Sequence, residues 1–367
     1  MNLDCPRKEF FEAVSAANQA ATTRTAINIL QCLKLEATGD GLRVSGCDGE
    51  MWVVRNVPAA IREEGAICIP SKTLNDIVAQ FPDGDISIST IEGNAVMVKQ
   101  GASEYRLPTL DVEDFPEPPD FGGEGELSLP MADLKAAVDS VLFAVSTDTH
   151  RQVLTGVLFL YDGEVLTLVA TDTHRLAVRK VIKEGLGSAV NVIVPDKALK
   201  AIKLLPVAED APVTILFGGG RLGVEADGAK VVSQVLNGTY PAWQRVVPGE
   251  HTRVWLAEVD QLSQKLKRMM ILARDNAGRV RFKGEGDQIV LASRSEDKGE
   301  AKEEVTMVPT NGDVEIAFNG KYVLDYLAIL PGPGVRIEMT ESTKPAVLRS
   351  ADDTSGSFCV IMPMALA

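Results

Sequence analysis

Ala170-Thr171-Asp172-Thr173-His174-Arg175-Leu176-Ala177 is the stretch on which the reading of this chain turns. It follows the apolar run from Val165 to Val169 and precedes Val178, so it predicts a strand, a polar corner and a second strand. Thr, Asp, His and Arg in succession are more than a simple chain reversal requires. The corner also has echoes. Cys47-Asp48-Gly49-Glu50 lies 124 residues earlier (172 against 48), and Ser295-Glu296-Asp297 lies 124 later (296 against 172). Each is an acidic corner after an apolar strand, and only the middle copy carries His-Arg-Leu.

Working outward from the corner, one plan recurs three times. A leading helix is predicted at Arg7 to Ala21 with Phe10, Val14 and Ala17 inward. It recurs at Met131 to Phe143 with Leu134, Val138 and Val141 inward, and at Ala257 to Leu272 with Val259, Leu262, Leu266 and Met269 inward. Strand-like runs follow each, and then a second helix start at Ser71-Lys72, Asp196-Lys197 and Gly320-Lys321, where Ser71, Asp196 and Gly320 are acceptable caps. Asp114-Phe115-Pro116 with Gly122, Gly123 and Gly125 reads as a linker, and Thr239-Tyr240-Pro241 closes the second copy as Asp114-Phe115-Pro116 closes the first. The expected fold class is α+β: three tandem domains, 1–121, 122–247 and 248–367, each with two helices on antiparallel sheets.

Composition sets bounds. A chain of 367 residues with 45% hydrophobic content suits two or three globular domains. It has no apolar run of about 18 residues for a membrane span. The start lacks a basic segment leading into an apolar one, so a cytoplasmic protein is expected. Five cysteines without CxxC spacing read as reduced thiols, and three scattered histidines give no zinc pattern. Neither a metal nor a cofactor is expected.

Like domains in tandem invite ring closure, because a head-to-tail contact leaves an open face at each chain end and a second copy can satisfy both. Ile271, Leu272 and the acidic residues Glu296, Glu300, Glu303 and Glu304 are candidate partners for Lys99, Arg106 and Leu107 across such a homodimer boundary. A net charge of −14 argues against a sequence-blind nucleic-acid binder. The distribution matters more than the sum. Lys197, Lys200 and Lys203 recur every third residue, opposite Leu199, Ile202 and Leu205; Arg7, Lys8 and Lys135 lie on leading helices, and Lys265, Lys267 and Arg268 flank the third. If the helices line the hole of a ring, those cations converge on one cavity while the acids face outward.

Taken together, Ala170 to Ala177, Tyr240-Pro241, Arg245-Val246, Phe318-Asn319 with Tyr322-Val323-Leu324-Asp325, and Val360-Ile361-Met362-Pro363-Met364 resemble the bacterial DNA polymerase III beta subunits, the sliding clamps, over the whole chain. The resemblance implies a non-catalytic, dimeric ring of three-domain subunits. Duplex DNA would thread it without regard to sequence. It also implies one peptide-binding cleft per subunit, for the replicative polymerase alpha subunit, the clamp loader and other proteins with a clamp-binding motif. One wall would be Leu154, Thr171, Thr173, His174, Arg175, Leu176, Pro241, Arg245 and Val246. The other would be Tyr322, Thr343, Pro345, Val360, Ile361, Met362, Pro363 and Met364, with Asn319 nearby. A peptide ending in Leu and an aromatic residue would bury those side chains there, with Arg175 and His174 anchoring its polar atoms. Soft Met362 and Met364 suit a pocket that serves several partners. Arg24, Arg151, Lys197 and Lys200 are the implied phosphate contacts.

Three positions depart from the family pattern: Thr173 stands where it usually has Gly, Ala365 where it has a basic residue, and Ala277 where a larger side chain is common. Catalysis is not expected, since GxSxG and HExxH are absent and Gly218-Gly219-Gly220-Arg221 reads as a hairpin turn. The competing reading is a clamp-like paralogue, serving as a drug-resistance substitute or a peptide scaffold that never encircles DNA.

Overall fold

The computed structural model describes residues 1–22, 25–119, 125–182, 187–295, 297–310 and 313–366. The chain divides into two compact units. One comprises Met1–Lys135 and Val194–Val235 with a short piece around Ser188; the other comprises Ala136–Gly185, Ala189–Ile193 and Leu236–Ala367.

In the first unit an eight-stranded sheet runs Gly125–Pro130, Pro212–Gly218, Arg221–Ala226, Ala229–Gln234, Met51–Val57, Gly41–Cys47, Cys32–Thr38, Gly65–Pro70. A five-stranded sheet runs Ala60–Glu63, Asn2–Pro6, Asp85–Ile91, Ala95–Gln100, Ser103–Pro108. Helices α1 (Arg7–Asn18) and α2 (Ser71–Gln80) pack on them. Phe10, Val14 and Ala17 of α1 and Leu74 and Val78 of α2 are fully buried with Leu33, Leu35, Ile86 and Ile88, as the 3.6-residue spacing requires. Helix α4 (Asp196–Lys203) buries Leu199 and Ile202; α3 (Met131–Leu142), which buries Leu134, Val138 and Val141, belongs to the second unit from Ala136 on. Gly219 and Gly220 have φ of 56° and 71°, the two left-handed positions of a tight hairpin turn, as expected for the triple-glycine stretch.

The second unit is organised on a twelve-strand succession: Val190–Pro195, Gly156–Tyr161, Val165–Thr171, Arg175–Ile182, Phe358–Ile361, Ala346–Ser350, Gly334–Met339, Arg253–Glu258, Gly299–Thr310, Gln288–Ser295, Arg279–Glu285, Glu315–Asn319. Helices α5 (Val259–Ala273) and α6 (Gly320–Leu327) cover its third-copy strands, burying Leu262, Leu266, Met269, Val323 and Leu327 around Trp255 and Phe282.

Backbone ladders explain why three copies form two units. The first and second copies share a sheet because Met51–Val57 pairs with Ala229–Gln234, for example Val53↔Val231. The second and third share one because Arg175–Ile182 pairs with Phe358–Ile361, for example Leu176↔Val360. The second copy is thereby divided between its neighbours.

Local expectations need correction at three places. The second-helix caps lie one residue earlier than read: Pro70 and Pro195 occupy the cap positions without a side-chain bond, and Asn319 caps α6 by accepting from the Lys321 amide at 3.0 Å. Ser71 instead donates to Asn18 Oδ1. The linker read at Asp114–Pro116 is docked rather than loose. Phe115 is buried beside Trp52, Trp52 Nε1 donates to the Pro116 carbonyl at 3.0 Å, and Lys34 pairs with Glu117. Arg7 is not a free cation on α1; it donates to the Val78 and Ala79 carbonyls at 3.2 and 2.9 Å, at the C-terminal end of α2, where bare carbonyls attract positive charge.

Candidate functional site

The corner at Thr171 to Arg175 is built by its own side chains. Asp172 Oδ1 accepts from the His174 and Arg175 amides, both at 2.9 Å, and Thr171 Oγ1 accepts from the Thr173 amide at 3.1 Å while donating to the Arg175 carbonyl at 2.7 Å. This folding forces Thr173 to φ +77°, a left-handed conformation that is costly for a β-branched residue. The departure from the family's glycine therefore falls at the position where glycine has a physical reason.

Arg175 is held inward. Its Nε donates to Asp172 Oδ2 at 3.0 Å and its Nη1 to Asp325 Oδ2 at 2.7 Å. The guanidinium lies 4.4 Å from the Tyr322 ring centroid and 5.1 Å from that of Phe143, and the side chain is only 10% exposed. His174 is exposed; its ring stacks on Tyr322 with centroids 6.4 Å apart, and its carbonyl accepts from the Met362 amide at 2.9 Å. The tail continues past Met362, and the Met364 amide donates to the Ala317 carbonyl at 2.7 Å. Ala365, where the family pattern has a basic residue, receives Arg279 Nη1 on its carbonyl at 3.2 Å.

Most of the cleft residues read from the sequence thus lie on connected elements of one unit. Leu154, Leu176 and Val360 are buried in a cluster with Tyr240, flanked by Trp243 and Val247, and form a floor rather than a surface. Ile361 points to the opposite side, into the core with Trp255. Pro241, Arg245, Val246, Thr343 and Met362 are exposed, Val246 and Met362 at 47% and 39%. Pro345 and Pro363 are half-buried. Asn319, besides capping α6, donates to the Ala277 carbonyl at 3.2 Å; Ala277 itself has φ +51°. Asp325, Phe143 and Trp243 escaped the sequence reading. Asp325 was visible only as part of a motif, one helical turn after Tyr322.

The expected phosphate contacts differ in availability. Arg24 lies outside the described residues. Arg151 is 59% exposed on the 3-10 segment Thr149–Thr155, 3.9 Å from Asp148. Lys200 is equally exposed and pairs with Asp196. Lys197 is occupied: its Nζ donates to Asp48 Oδ2 at 3.0 Å and Glu50 Oε2 at 2.8 Å. Burial works against its charge, but the hydrogen bonds to Glu50 and Asp48 outweigh that, so its pKa is raised.

The boundary residues are similarly engaged within the chain. Lys99 pairs with Glu104, Arg106 donates to the Glu92 carbonyl at 3.4 Å, and Leu107 is buried. Arg268 makes a two-pronged contact with Glu303 at 2.6 and 3.0 Å, Lys302 pairs with Glu304 at 2.9 Å, Lys265 donates to the Glu304 carbonyl, and Arg294 lies 3.4 Å from Glu300. Leu272 is half-buried, whereas Ile271 is 64% exposed. Glu296 lies outside the described residues.

Among the described residues no group of three or more His, Cys, Asp or Glu could hold a metal. All five cysteines are buried free thiols; burial pushes Cys5 and Cys68 up to about 12 and Cys47 to about 11. No helix among the described residues is long and apolar enough to cross a membrane.

Comparison with known proteins follows the chain from end to end. Residues 1–119, 128–242 and 244–365 match, in order, the N-terminal, central and C-terminal domain families of the DNA polymerase III beta subunit. A beta sliding clamp of Staphylococcus aureus is 29% identical over 365 residues, covering 97% of each chain. The crystal structure of a DNA polymerase sliding clamp from Bacillus subtilis matches with a TM-score of 0.92 at 25% identity, covering 100% of both chains. That of a Pseudomonas aeruginosa sliding clamp bound to griselimycin matches with a TM-score of 0.92 at 28% identity and the same coverage. With three tandem clamp domains in the family's own order, this chain belongs to the DNA polymerase III beta subunit family, the bacterial sliding clamps.

Proposed function

We infer that the chain is a sliding clamp: a non-catalytic processivity factor that encircles duplex DNA and tethers the replicative polymerase. The observation that carries this is the unbroken run of all three beta-subunit domains. We place the domain boundaries at 1–121, 122–247 and 248–367. The ring is proposed to be a homodimer closed through two strand edges. Ser103–Pro108 ends its sheet, and the Gly299–Thr306 part of the long strand pairs on one side only, with Gln288–Ser295, among the described residues. Such edges are open templates for pairing, and a second copy of the chain would cover them. Exposed Ile271 would supply apolar contact at the same seam, and Lys99, Arg106, Glu300, Glu303 and Glu304 would exchange their contacts within the chain for contacts across it.

The exposed Met362, Val246 and His174 with the half-buried Tyr322 are proposed as the cleft for polymerase, clamp loader and other partners carrying a linear apolar motif. Phosphate contact would fall to Arg24, Arg151, Lys197 and Lys200. Lys197 must first exchange Asp48 and Glu50 for a phosphate. The protein would act in the cytoplasm, where the chromosome is copied. Escape from a closed ring is topological, so retention on DNA at high salt tests the reading. Persistence on nicked circles with loss from linear DNA is expected; equal loss from both would discard encirclement, and sedimentation as a monomer at micromolar concentration would discard the closed dimer.

A further inference from the structure

We propose that a cavity lined by α3, the segment after α6 and Arg179 is a binding site for a small uncharged aromatic molecule bearing a carbonyl oxygen, which Arg179 recognises as donor. It goes beyond the clamp reading and uses none of the residues assigned there to the cleft, the seam or the phosphate contacts. The cavity measures about 120 Å³ and lies within the second unit. Ser140 and Arg179 come to it from the second copy, and Ile329, Leu330, Asp353 and Phe358 from the third. An apolar cavity of about 150 Å³ admits benzene, so a single ring has the right size here. Ile329, Leu330 and Phe358 give that ring an apolar wall, and Ala136 at the rim is exposed, which leaves a way in.

The polar wall sets the chemistry. Ser140 Oγ donates to the Ala137 carbonyl at 2.6 Å, and Ser350 Oγ to the Pro331 carbonyl at 2.7 Å. Asp353 Oδ1 accepts from the Ser355 amide and hydroxyl at 2.8 and 2.6 Å, and its Oδ2 from the Ser357 amide at 2.8 Å. Arg179 is the exception: its Nε is buried and hydrogen-bonds to none of the described residues. A buried donor without a partner gives up its hydration for nothing, and an acceptor oxygen on a ligand would restore the bond.

Charge selects a neutral acceptor. Burial works to raise the Asp353 carboxyl, but the hydrogen bonds from Ser355 and Ser357 and the Arg179 charge outweigh it, so Asp353 is a carboxylate at neutral pH. One guanidinium and one carboxylate therefore line the same small space. An anionic ligand would gain Arg179 and be repelled by Asp353, and a cationic one would meet the reverse; a carbonyl oxygen suffers neither.

The test is a titration of the full-length chain, methyl-labelled at isoleucine, with benzamide, followed by NMR. The Ile329 methyl resonance, assigned by its loss in Ile329→Val, is expected to shift with a Kd on the order of 1 mM. Arg179→Met keeps the side-chain stem and removes the donors; it is expected to raise the Kd for benzamide about tenfold and to leave that for benzene unchanged. An unchanged benzamide Kd in that variant, or equal weakening of both probes, would overturn the role of Arg179. Benzoate binding more tightly than benzamide would overturn the uncharged class. No shift at about 20 mM benzamide would overturn the site and leave the Arg179 donor to water. Ser140→Leu, which fills the cavity from α3, keeps the test decisive if Arg179→Met fails to fold: loss of the shift is expected, and undiminished binding would place benzamide elsewhere and refute the assignment.

Discussion

The corners at Cys47 to Met51 and at Thr171 to Arg175 have the same backbone and opposite occupations. In each, an aspartate Oδ1 accepts from the amides two and three residues on: Glu50 and Met51 at 2.9 and 2.8 Å for Asp48, His174 and Arg175 at 2.9 Å for Asp172. In each, the side chain before the aspartate accepts from the amide two residues on at 3.1 Å, Cys47 Sγ in one and Thr171 Oγ1 in the other. In each, the residue after the aspartate is left-handed, Gly49 at φ +94° and Thr173 at φ +77°. The side chains then diverge. The first corner's acids clamp a lysine, Lys197; the second corner's acid clamps an arginine, leaving a histidine outside to stack on Tyr322. The turn is a scaffold common to these two copies, while the nature of the clamped cation decides what each corner presents to solvent.

Breaking the second corner should cost most. Asp172→Ala removes the oxygen that accepts from two amide N–H groups and one of the two carboxylates on a nearly buried guanidinium, and is expected to destabilise by about 2–4 kcal/mol in urea unfolding. A loss under about 1 kcal/mol would show that Asp325 alone holds Arg175. Giving the first corner the second's residue, Gly49→Thr, is expected to cost about 2 kcal/mol. An added Cβ would meet only Leu30 Cδ1, 3.9 Å away, so the cost would come from the backbone and not from a clash. Asp48→Ala should be milder than Asp172→Ala, at about 1 kcal/mol, because Lys197 keeps Glu50; equal losses would mean that the turn, not the clamped cation, dominates both corners.

In the reverse exchange, Thr173→Gly is expected to raise stability by about 0.5–1 kcal/mol, the relief of strain exceeding the added freedom of the unfolded chain. Thermal unfolding reads it directly, and no gain would locate the strain elsewhere. The smallest effect is a pH dependence. Lys197 has a folded pKa raised above its ordinary 10.5, so its contribution is fully present below that value and declines as pH rises through the folded pKa. The stability gap between wild type and Lys197→Met should therefore be flat from pH 7 to 9 and narrow above about 10.5; narrowing near neutrality would exclude the assigned pairing.

Repetition and periodicity were legible because they are local. Phe10, Val14 and Ala17, or Leu262, Leu266 and Met269, go inward because helical spacing leaves one face apolar. The strand–corner–strand reading at Ala170 to Ala177 held for the same reason. What escaped depends on residues far apart in the chain. Nothing near Lys197 in sequence reveals Asp48 and Glu50 as its partners, nor does anything near Arg175 reveal Asp325, 150 residues on. The caps lie one residue before the expected ones: a proline, its φ fixed by the ring, takes the cap position of α2 and α4, and Asn319 takes that of α6. The ladders that join neighbouring copies escaped as well, since no single copy's pattern encodes them.

Those inter-copy ladders have a mechanical meaning. Ala229–Ser233 is stitched to Met51–Arg55 through five successive residue pairs, and Arg175–Val178 to Phe358–Ile361 through four. Sliding such strands past one another must rupture several hydrogen bonds together, so under tension these junctions should behave as rivets while surface turns pay out slack.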